Sequence, residues 1–405
     1  MISLQMVFDT RSFFERIAVM DELFVRKPSC LECFYMDFND CGYNMTFHYF
    51  LKLDRMPDLA ILNETLKKTL ITHSGINLKF KNKAWYTSLS LPECKVVEFD
   101  GDCIYDFKGS CLNFRVNTIA LSVIHLTKKG GWFLCFDFFH GAVDGRSGVQ
   151  FIYDFFAVLN NKPTEENDFS LIENDIVKKN KSKKTLFNVL PVCKPKDWKP
   201  KKEGESMVQV LTTNACTRYM AAKLSKAISH CFSSNKAHMI IPVDIRRFYG
   251  ETKKKLFGNL ILPIFINAHE GKDMNDLSME VSNHVKKKTL LSKTTANLFF
   301  YNKLPIRLRR AVLRFLISLV MASKKFIYCA LVSPVGQIHK EKLESTHFEV
   351  EDIAVTFISF PFTAFSVVSV QYDGHTNTSI SWHSGRVPQK VAAALAKEID
   401  DCISE

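Results

Sequence analysis

The residues with the clearest chemical potential lie between Phe138 and Gly145, in the order Phe-Phe-His-Gly-Ala-Val-Asp-Gly. His140 directly follows an apolar stretch that ends at Phe139. Because an imidazole titrates near neutral pH, a histidine held where a strand ends can serve as a general base. Asp144 can accept bonds from nearby backbone N–H groups or pair with a distant cation, and Gly145 permits a tight turn. We predict general-base chemistry at His140; the alternative is a histidine that only satisfies local hydrogen bonds.

Two predicted elements flank this histidine and would hold it in place. Residues 131–139 form an aromatic-rich apolar run, which is typical of a buried strand. Residues 148–159 have apolar side chains on one side of a helix. A strand that ends at His140 and a helix that begins shortly after it would present the imidazole at the edge of a sheet.

The rest of the chain alternates between predicted strands and helices. Helices are predicted at 11–25, 58–72, 217–232, 276–288, 305–322 and 388–402. Strands are predicted at 34–38, 47–53, 76–80, 84–89, 96–99, 120–126, 207–212, 238–243, 260–266, 328–332, 355–358, 366–372 and 377–382. Strands and helices mixed in both halves predict an α/β (α+β) protein.

A polar, lysine-rich segment with four prolines separates the two halves. It runs from 160 to 205 and is the best candidate for a linker or crossover. We therefore predict an N-terminal domain over 1–175, a crossover over 176–205 and a C-terminal domain over 206–405.

Composition and charge narrow the functional classes. The chain has 405 residues, of which 46% are hydrophobic, with 34 phenylalanines against 4 tryptophans. Such a composition can supply a large core and line an apolar passage. The net charge of +12 comes largely from lysine clusters, which are typical of solvated faces but can attract phosphates or an acidic protein. No nucleic-acid-binding signature accompanies them, so we expect no nucleic-acid partner.

The cysteines and the most apolar segment set further expectations. Twelve cysteines without a secretory signal predict reduced thiols and a cytoplasmic location. Cys30 and Cys33, with Cys41 nearby, lack the second pair that a zinc site would need, so no metal is predicted. Arg314 and the lysines at 324 and 325 interrupt the apolar run at 311–332, which predicts an amphipathic helix and then a strand rather than a membrane span.

Several motifs occur in an order that is similar to a known superfamily. They are Phe-His-Gly-Ala-Val-Asp-Gly at 139–145, Ile-Pro-Val-Asp-Ile-Arg-Arg-Phe at 241–248, Phe-Gly-Asn at 257–259, Val-Ser-Pro-Val-Gly-Gln-Ile at 332–338 and Val-Val-Ser-Val-Gln-Tyr-Asp-Gly at 367–374. Together they resemble the superfamily of chloramphenicol acetyltransferases, condensation domains and CoA-dependent acyltransferases. Within it, the chain looks most like bacterial alcohol-acetyltransferase-like proteins.

The resemblance implies a fold and an activity. The fold would be two chloramphenicol-acetyltransferase-like sandwich domains with an interdomain tunnel. An acyl-CoA cosubstrate would enter from one side and a small alcohol or amine from the other, with no bound cofactor. His140 would take the acceptor's proton as it attacks the thioester, and a monomeric acyltransferase is expected.

The resemblance also assigns roles to other residues. Asp144 would form a buried ion pair that shapes the catalytic loop, with Arg246 or Arg247 as partner, Arg246 being favoured. The tetrahedral oxyanion would need a hydrogen-bond donor. Asn259, Ser333 and the backbone N–H of Gly145 are all candidates, and the sequence does not choose among them.

Two other interpretations remain open at this stage. The donor could be carried by an acyl carrier protein, as for condensation domains, although the first histidine of their usual pair is Phe139 here. The chain also has room for only about one helix between the strand at 207–212 and the motif at 241–248. A second domain shortened in this way motivates the third hypothesis, a catalytically silent binding protein of the same fold.

Overall fold

The computed structural model describes most of the chain. The described residues are 22–73, 75–109, 112–180, 192–201, 204–232, 237–250, 252, 254–269, 271–291 and 301–404. Most of the helix predicted at 11–25 lies outside these ranges. The end of this predicted helix was wrong, because Phe24 and Val25 belong to a strand, Phe24–Arg26.

Sixteen strands and eight longer helices are labelled here in chain order. The strands are β1 (Phe24–Arg26), β2 (Thr46–Leu53), β3 (Leu78–Lys81), β4 (Ala84–Thr87), β5 (Lys95–Phe99), β6 (Ile119–Leu126), β7 (Trp132–Phe139), β8 (Asn167–Asp168), β9 (Ser206–Thr213), β10 (Ala237–Asp244), β11 (Lys255–Leu256), β12 (Ile261–Ala268), β13 (Tyr328–Ile338), β14 (Val350–Phe357), β15 (Thr363–Tyr372) and β16 (His375–His383). The helices are α1 (Cys30–Asp40), α2 (Leu59–Thr72), α3 (Gly145–Leu159), α4 (Glu173–Lys179), α5 (Met220–Ser229), α6 (Met274–Lys286), α7 (Ile306–Ala322) and α8 (Gln389–Ser404).

A five-stranded sheet carries the predicted histidine at the end of its central strand. Its order is β14-β2-β7-β6-β5. Strand β7 has the sequence Trp-Phe-Leu-Cys-Phe-Asp-Phe-Phe, and seven of its eight residues are buried, as expected for a strand covered on both faces. Phe136 and Phe138 point towards α3, where they contact Phe151. Phe136 and Phe138 therefore lie on the face of the sheet that packs against α3.

A second, six-stranded sheet has the order β12-β10-β13-β15-β16-β9. Helices α5, α6 and α8 contact it, α5 also contacts the other two, and a separate hydrophobic core forms beneath them. Only one helix of the described residues, α5, lies between β9 and β10, in agreement with the short interval expected from the sequence.

One prediction near the site was wrong. The strand predicted at 34–38 is part of helix α1. The helix begins with a reciprocal capping box, in which the Ser29 side chain accepts from the Glu32 N–H and the Glu32 side chain accepts from the Ser29 N–H. This capping, together with burial of Leu31 and Met36, outweighs the strand preference of the aromatic residues at 34–38.

The two sheets do not follow the order of the chain strictly. Strand β14 comes from the second half, yet it pairs with β2 from Val350 opposite Leu53 to Phe357 opposite Phe47. Helix α4 (Glu173–Lys179) runs across the predicted boundary between the N-terminal domain and the crossover. The domain boundaries at 175 and 206 remain a prediction. Among the described residues, no helix has the length and apolar content needed to cross a membrane.

Candidate active site

The loop from His140 to Gly145 joins β7 to α3, and backbone bonds fix its start. The His140 N–H donates to the carbonyl of Met45, at 2.8 Å, just before β2. The His140 carbonyl accepts from the Asn259 side-chain amide at 2.5 Å. The residue that carries the imidazole is thus tied to β2 on one side and to the second half of the chain on the other.

The imidazole is held in one tautomer. Its Nδ1 lies 3.2 Å from the carbonyl oxygen of Val143. Because a carbonyl can only accept, Nδ1 must carry the proton, which leaves the lone pair on Nε2. A neutral imidazole with its lone pair on Nε2 is the form that a general base requires.

Aromatic rings enclose the imidazole and lower its pKa. Tyr35 stacks on it, with ring centroids 4.6 Å apart and an interplanar angle of 17°, and Phe47 and Phe357 approach with their edges, each at 5.2 Å. Burial lowers the pKa of His140 below its ordinary 6.5, and weaker effects of the Val143 carbonyl and Asp144 oppose this. His140 is therefore neutral at pH 7.

A cavity of about 160 Å³ lies against His140, between the two sheets. The first sheet and its neighbouring helices line it with Tyr35, Phe47, His140, Gly145, Arg146, Val355 and Phe357. The second sheet lines it with Pro242, Asp244, Ile261, Leu331, Ser333, Pro334, Val335 and Val368. The Arg146 side chain is 71% exposed, so the cavity reaches the surface beside this residue. A cavity thus lies beside His140, where the interdomain tunnel was expected, and a continuous tunnel with two openings stays a prediction.

Asp144 lies at the centre of a buried polar cluster rather than against the imidazole. It is fully buried, and its carboxylate pairs with Arg246 at 2.9 Å. The same carboxylate accepts from the backbone N–H of Ser147 and of Leu260, both at 2.8 Å. The structure thus brings Asp144 and Arg246 together, whereas Arg247 is exposed.

Arg246 extends this cluster across the two halves of the chain. Its guanidinium donates to the Ser147 hydroxyl at 2.6 Å and to the carbonyls of Leu256 and Gly258 at 2.8 and 3.1 Å. It also pairs with Asp244 at 3.0 Å. These bonds fix the first turn of α3 against the segment around Gly258, and so they hold the loop that carries His140.

The three oxyanion candidates occupy different positions. Ser333 and Gly145 line the cavity, and Gly145 is the first residue of α3, where the helix dipole favours negative charge. Asn259 is buried and its amide N–H groups face the His140 carbonyl. Asn259 therefore bonds the main chain of the histidine, whereas Ser333 and Gly145 line the cavity and stay the candidates for the oxyanion.

The sequence analysis missed several residues of this site. Tyr35 was assigned to a strand; the Ser29-x-x-Glu32 capping signal would have revealed its helix. Phe357 reaches the cavity only because β14 joins the first sheet, which no local pattern indicates. Asp244 pairs with both Arg146 and Arg246 at 3.0 Å and was not singled out.

Comparisons with known proteins concern the fold. No family model and no curated protein matches the chain. Among solved structures, polyketide synthase associated protein 5 from Mycobacterium tuberculosis has 13% identity and a TM-score of 0.62, over 96% of this chain and 100% of that one. The condensation domain of the monacolin K polyketide synthase has 8% identity and a TM-score of 0.64, over 94% and 97%. The epimerization domain from the third module of tyrocidine synthetase B has 11% identity and a TM-score of 0.57, over 95% and 100%.

The chain therefore has the two-lobed α/β fold of condensation-type domains, as predicted from its motifs. At these identities the likeness covers the fold alone. The narrower resemblance to alcohol-acetyltransferase-like proteins is not confirmed by these structures.

Proposed function

We propose that this protein transfers an acyl group from a thioester to a hydroxyl or amine acceptor, with His140 as the general base. The observation that carries the proposal is the neutral imidazole, held in one tautomer by Val143 beside a cavity between the two sheets. The apolar lining of that cavity suits an acyl chain, and no resident cofactor is part of the proposal.

In this reaction His140 moves one proton from the acceptor to the leaving thiolate. Nε2 of His140 takes the proton of the acceptor O–H or N–H as that atom attacks the thioester carbonyl. The Ser333 hydroxyl or the Gly145 N–H donates to the oxygen that becomes negative. When the C–S bond breaks, the imidazolium returns its proton to the leaving thiolate, so neither a covalent acyl-enzyme nor an outside proton source is needed.

We further propose that the thioester is presented by an acyl carrier protein. The similar structures include domains of polyketide and peptide synthetases, which favours a carrier over the acyl-CoA donor expected from the sequence. A surface depression of about 370 Å³ also begins at Arg146, the residue at the cavity mouth, and continues past Arg247, Lys254 and Lys255. Basic side chains around the mouth suit a phosphate-bearing arm and an acidic partner.

The proposal is tested with two sets of donors against a panel of hydroxyl and amine acceptors. One set carries acyl groups on the phosphopantetheine of carrier proteins, and the other carries the same groups on CoA. We expect product with both classes of thioester, with a higher kcat/KM for the carrier-bound donors. Preference for CoA would contradict the choice of donor, and absence of transfer from either would contradict the function.

A further inference from the structure

A second group of reactive side chains lies on the other face of the sheet that carries His140. Cys135 and Asp137 are two residues apart in β7, so they share one face. That face is opposite to the one on which Phe136 and Phe138 meet α3. In the neighbouring strand β2, His48 lies directly opposite Asp137. The strand register therefore brings a thiol, a carboxylate and an imidazole to one place.

The three side chains are close enough to share an ion. The distance from His48 Nδ1 to Asp137 Oδ1 is 2.6 Å, and that from Cys135 Sγ to the same oxygen is 3.2 Å. One ligand atom from each residue lies within 4.8 Å of the others. A zinc ion bonded to all three at 2.0–2.3 Å would hold the nitrogen and oxygen about 3.3 Å apart, so side chains need to move by less than about 1 Å to admit it.

The group is closed off from solvent. His48 is 4% exposed, and Cys135 and Asp137 are fully buried. Gly109 covers it with bare backbone, since a Cβ at this position would lie 2.4 Å from His48 Nδ1 and 3.0 Å from Asp137 Oδ1. The φ of +64° at Gly109 also favours glycine. The absence of a side chain lets the backbone of Gly109 pack directly against His48 and Asp137.

We propose that His48, Cys135 and Asp137 form a buried zinc site. A thiolate, an imidazole and a carboxylate together suit zinc better than magnesium or calcium, which prefer oxygen ligands alone. The thiolate and the carboxylate balance the two positive charges of the ion, so the filled site is neutral and inexpensive to bury. A water would complete the tetrahedron, and the Gly109 backbone, which lies against the group, would have to move outward to admit it. The sequence analysis predicted no metal for the chain, because Cys30, Cys33 and Cys41 lack a second pair; this proposal departs from that prediction on the basis of other residues.

Zinc binding at this site must displace a proton from sulfur, because the thiolate is the form of cysteine that bonds a metal ion. In the metal-free protein the thiol of Cys135 donates to Asp137 Oδ1, and the ion takes the place of that hydrogen on sulfur. On His48, Nδ1 lies against the Asp137 carboxylate and is the nitrogen that would bond the metal.

The ion would join β2 to β7 three residues before His140. It does not reach the cavity, and none of its ligands lines that cavity. We infer a structural role, in which the metal holds the strand that presents the imidazole. This inference is independent of the proposed acyl transfer, because metal content and activity are measured separately.

The test uses the full chain, produced with zinc in the medium and freed of any histidine tag. Elemental analysis of the native protein should give about one zinc per chain. The variants Cys135→Ala and His48→Asn should lose it, whereas Cys94→Ala, which removes another buried cysteine away from this site, should retain it. Zinc that persists in Cys135→Ala, or native protein without zinc, would overturn the proposal.

A measurement on the unaltered protein tests the zinc site even if the variants fail to fold. The native chain is stripped with a chelator, dialysed and titrated with Co²⁺, with pH followed in weak buffer. We expect a thiolate-to-cobalt absorption band at one equivalent, together with a release of protons as the ion displaces the thiol hydrogen. A folded protein that gives no such band contradicts the site even if no variant can be purified.

Discussion

At the scale of single residues, backbone atoms prepare His140 for its role. The Val143 carbonyl selects the tautomer, and the amide of Asn259 holds the main chain of the histidine. Among the residues that the structure describes, no carboxylate bonds the ring directly, so the basicity of Nε2 depends on how much water reaches the ring. The stacked ring of Tyr35 controls that access from one side.

The pH dependence of activity should respond to Tyr35. Burial lowers the pKa of His140, so the acid limb of kcat/KM should lie below pH 6.5. Replacing Tyr35 with Ala lets water reach the ring, which raises the pKa towards its ordinary value and moves the limb to higher pH. Tyr35→Phe keeps the stacked ring and should leave the limb unchanged. Equal shifts in both variants, or none in Tyr35→Ala, would contradict this account of the pKa.

The ion pair of Asp144 should contribute more to stability than any neighbouring charge. Arg246→Met leaves the buried Asp144 carboxylate without its cation, which should cost about 3–5 kcal/mol in the free energy of unfolding. Arg247→Met, one residue later and exposed, is the matched control and should cost far less. Chemical denaturation of both variants measures the difference. Similar losses would show that the pair does not hold the loop.

At the scale of elements, the junction of β7 and α3 is crowded. Gly148 lies in the first turns of α3, where a Cβ would be 2.9 Å from Tyr49 Cε2 and 3.3 and 3.4 Å from the rings of Phe47 and Phe138. All three rings are buried and have little room to yield. The missing side chain lets the helix pack close to the sheet and sets the position of the loop before it.

The substitution Gly148→Ala should therefore destabilise the protein. Helix propensity alone would favour alanine by about 1 kcal/mol, but overpacking against fixed rings should cost about 1–3 kcal/mol. The exposed Arg146, changed to Ala in the same helix, should have little effect on stability. Thermal unfolding of the two variants provides the comparison, and a more stable Gly148→Ala protein would refute the close packing.

Local patterns predicted most elements of the sheets but not every part of the site. The aromatic run in β7 and the amphipathic spacing in α3 indicate their structure because burial follows directly from sequence periodicity. Helix α1 was mistaken for a strand because its aromatic residues suit either element, and the capping residues decide between them. The pairing of Asp144 with Arg246 was predicted only from the resemblance to the acyltransferase superfamily, since no local pattern links residues 102 positions apart.

At the scale of the whole molecule, the two sheets share the site, and the second half of the chain contributes one strand, β14, to the first sheet. Phe357 and Val355 of β14 line the cavity from the first sheet, while β13 lines it from the second with Ser333. Because β14 lies at the edge of the first sheet and next to β2, the first sheet is complete only with a segment from the second half. The pairing of β14 with β2 could not be inferred from the sequence, because strand partners distant in the chain leave no local signal.

The N-terminal half should not fold cooperatively by itself. A fragment of residues 1–205 lacks β14 and leaves β2 as an uncovered edge, which favours aggregation. Joining residues 345–360 to that fragment through a flexible linker should restore a sharper unfolding transition. Circular dichroism during urea unfolding distinguishes the two proteins. A sharp transition of the fragment alone would support an independent domain that ends near the predicted boundary.

The most direct test of the central claim is the single-turnover rate of acyl transfer by the wild-type protein and by His140→Ala, with the same thioester and acceptor. Loss of the base should reduce the rate by about 10²–10⁴-fold while the thermal unfolding temperature stays close to that of the wild type. Transfer at an unchanged rate by folded His140→Ala would contradict the assignment of His140 as the base.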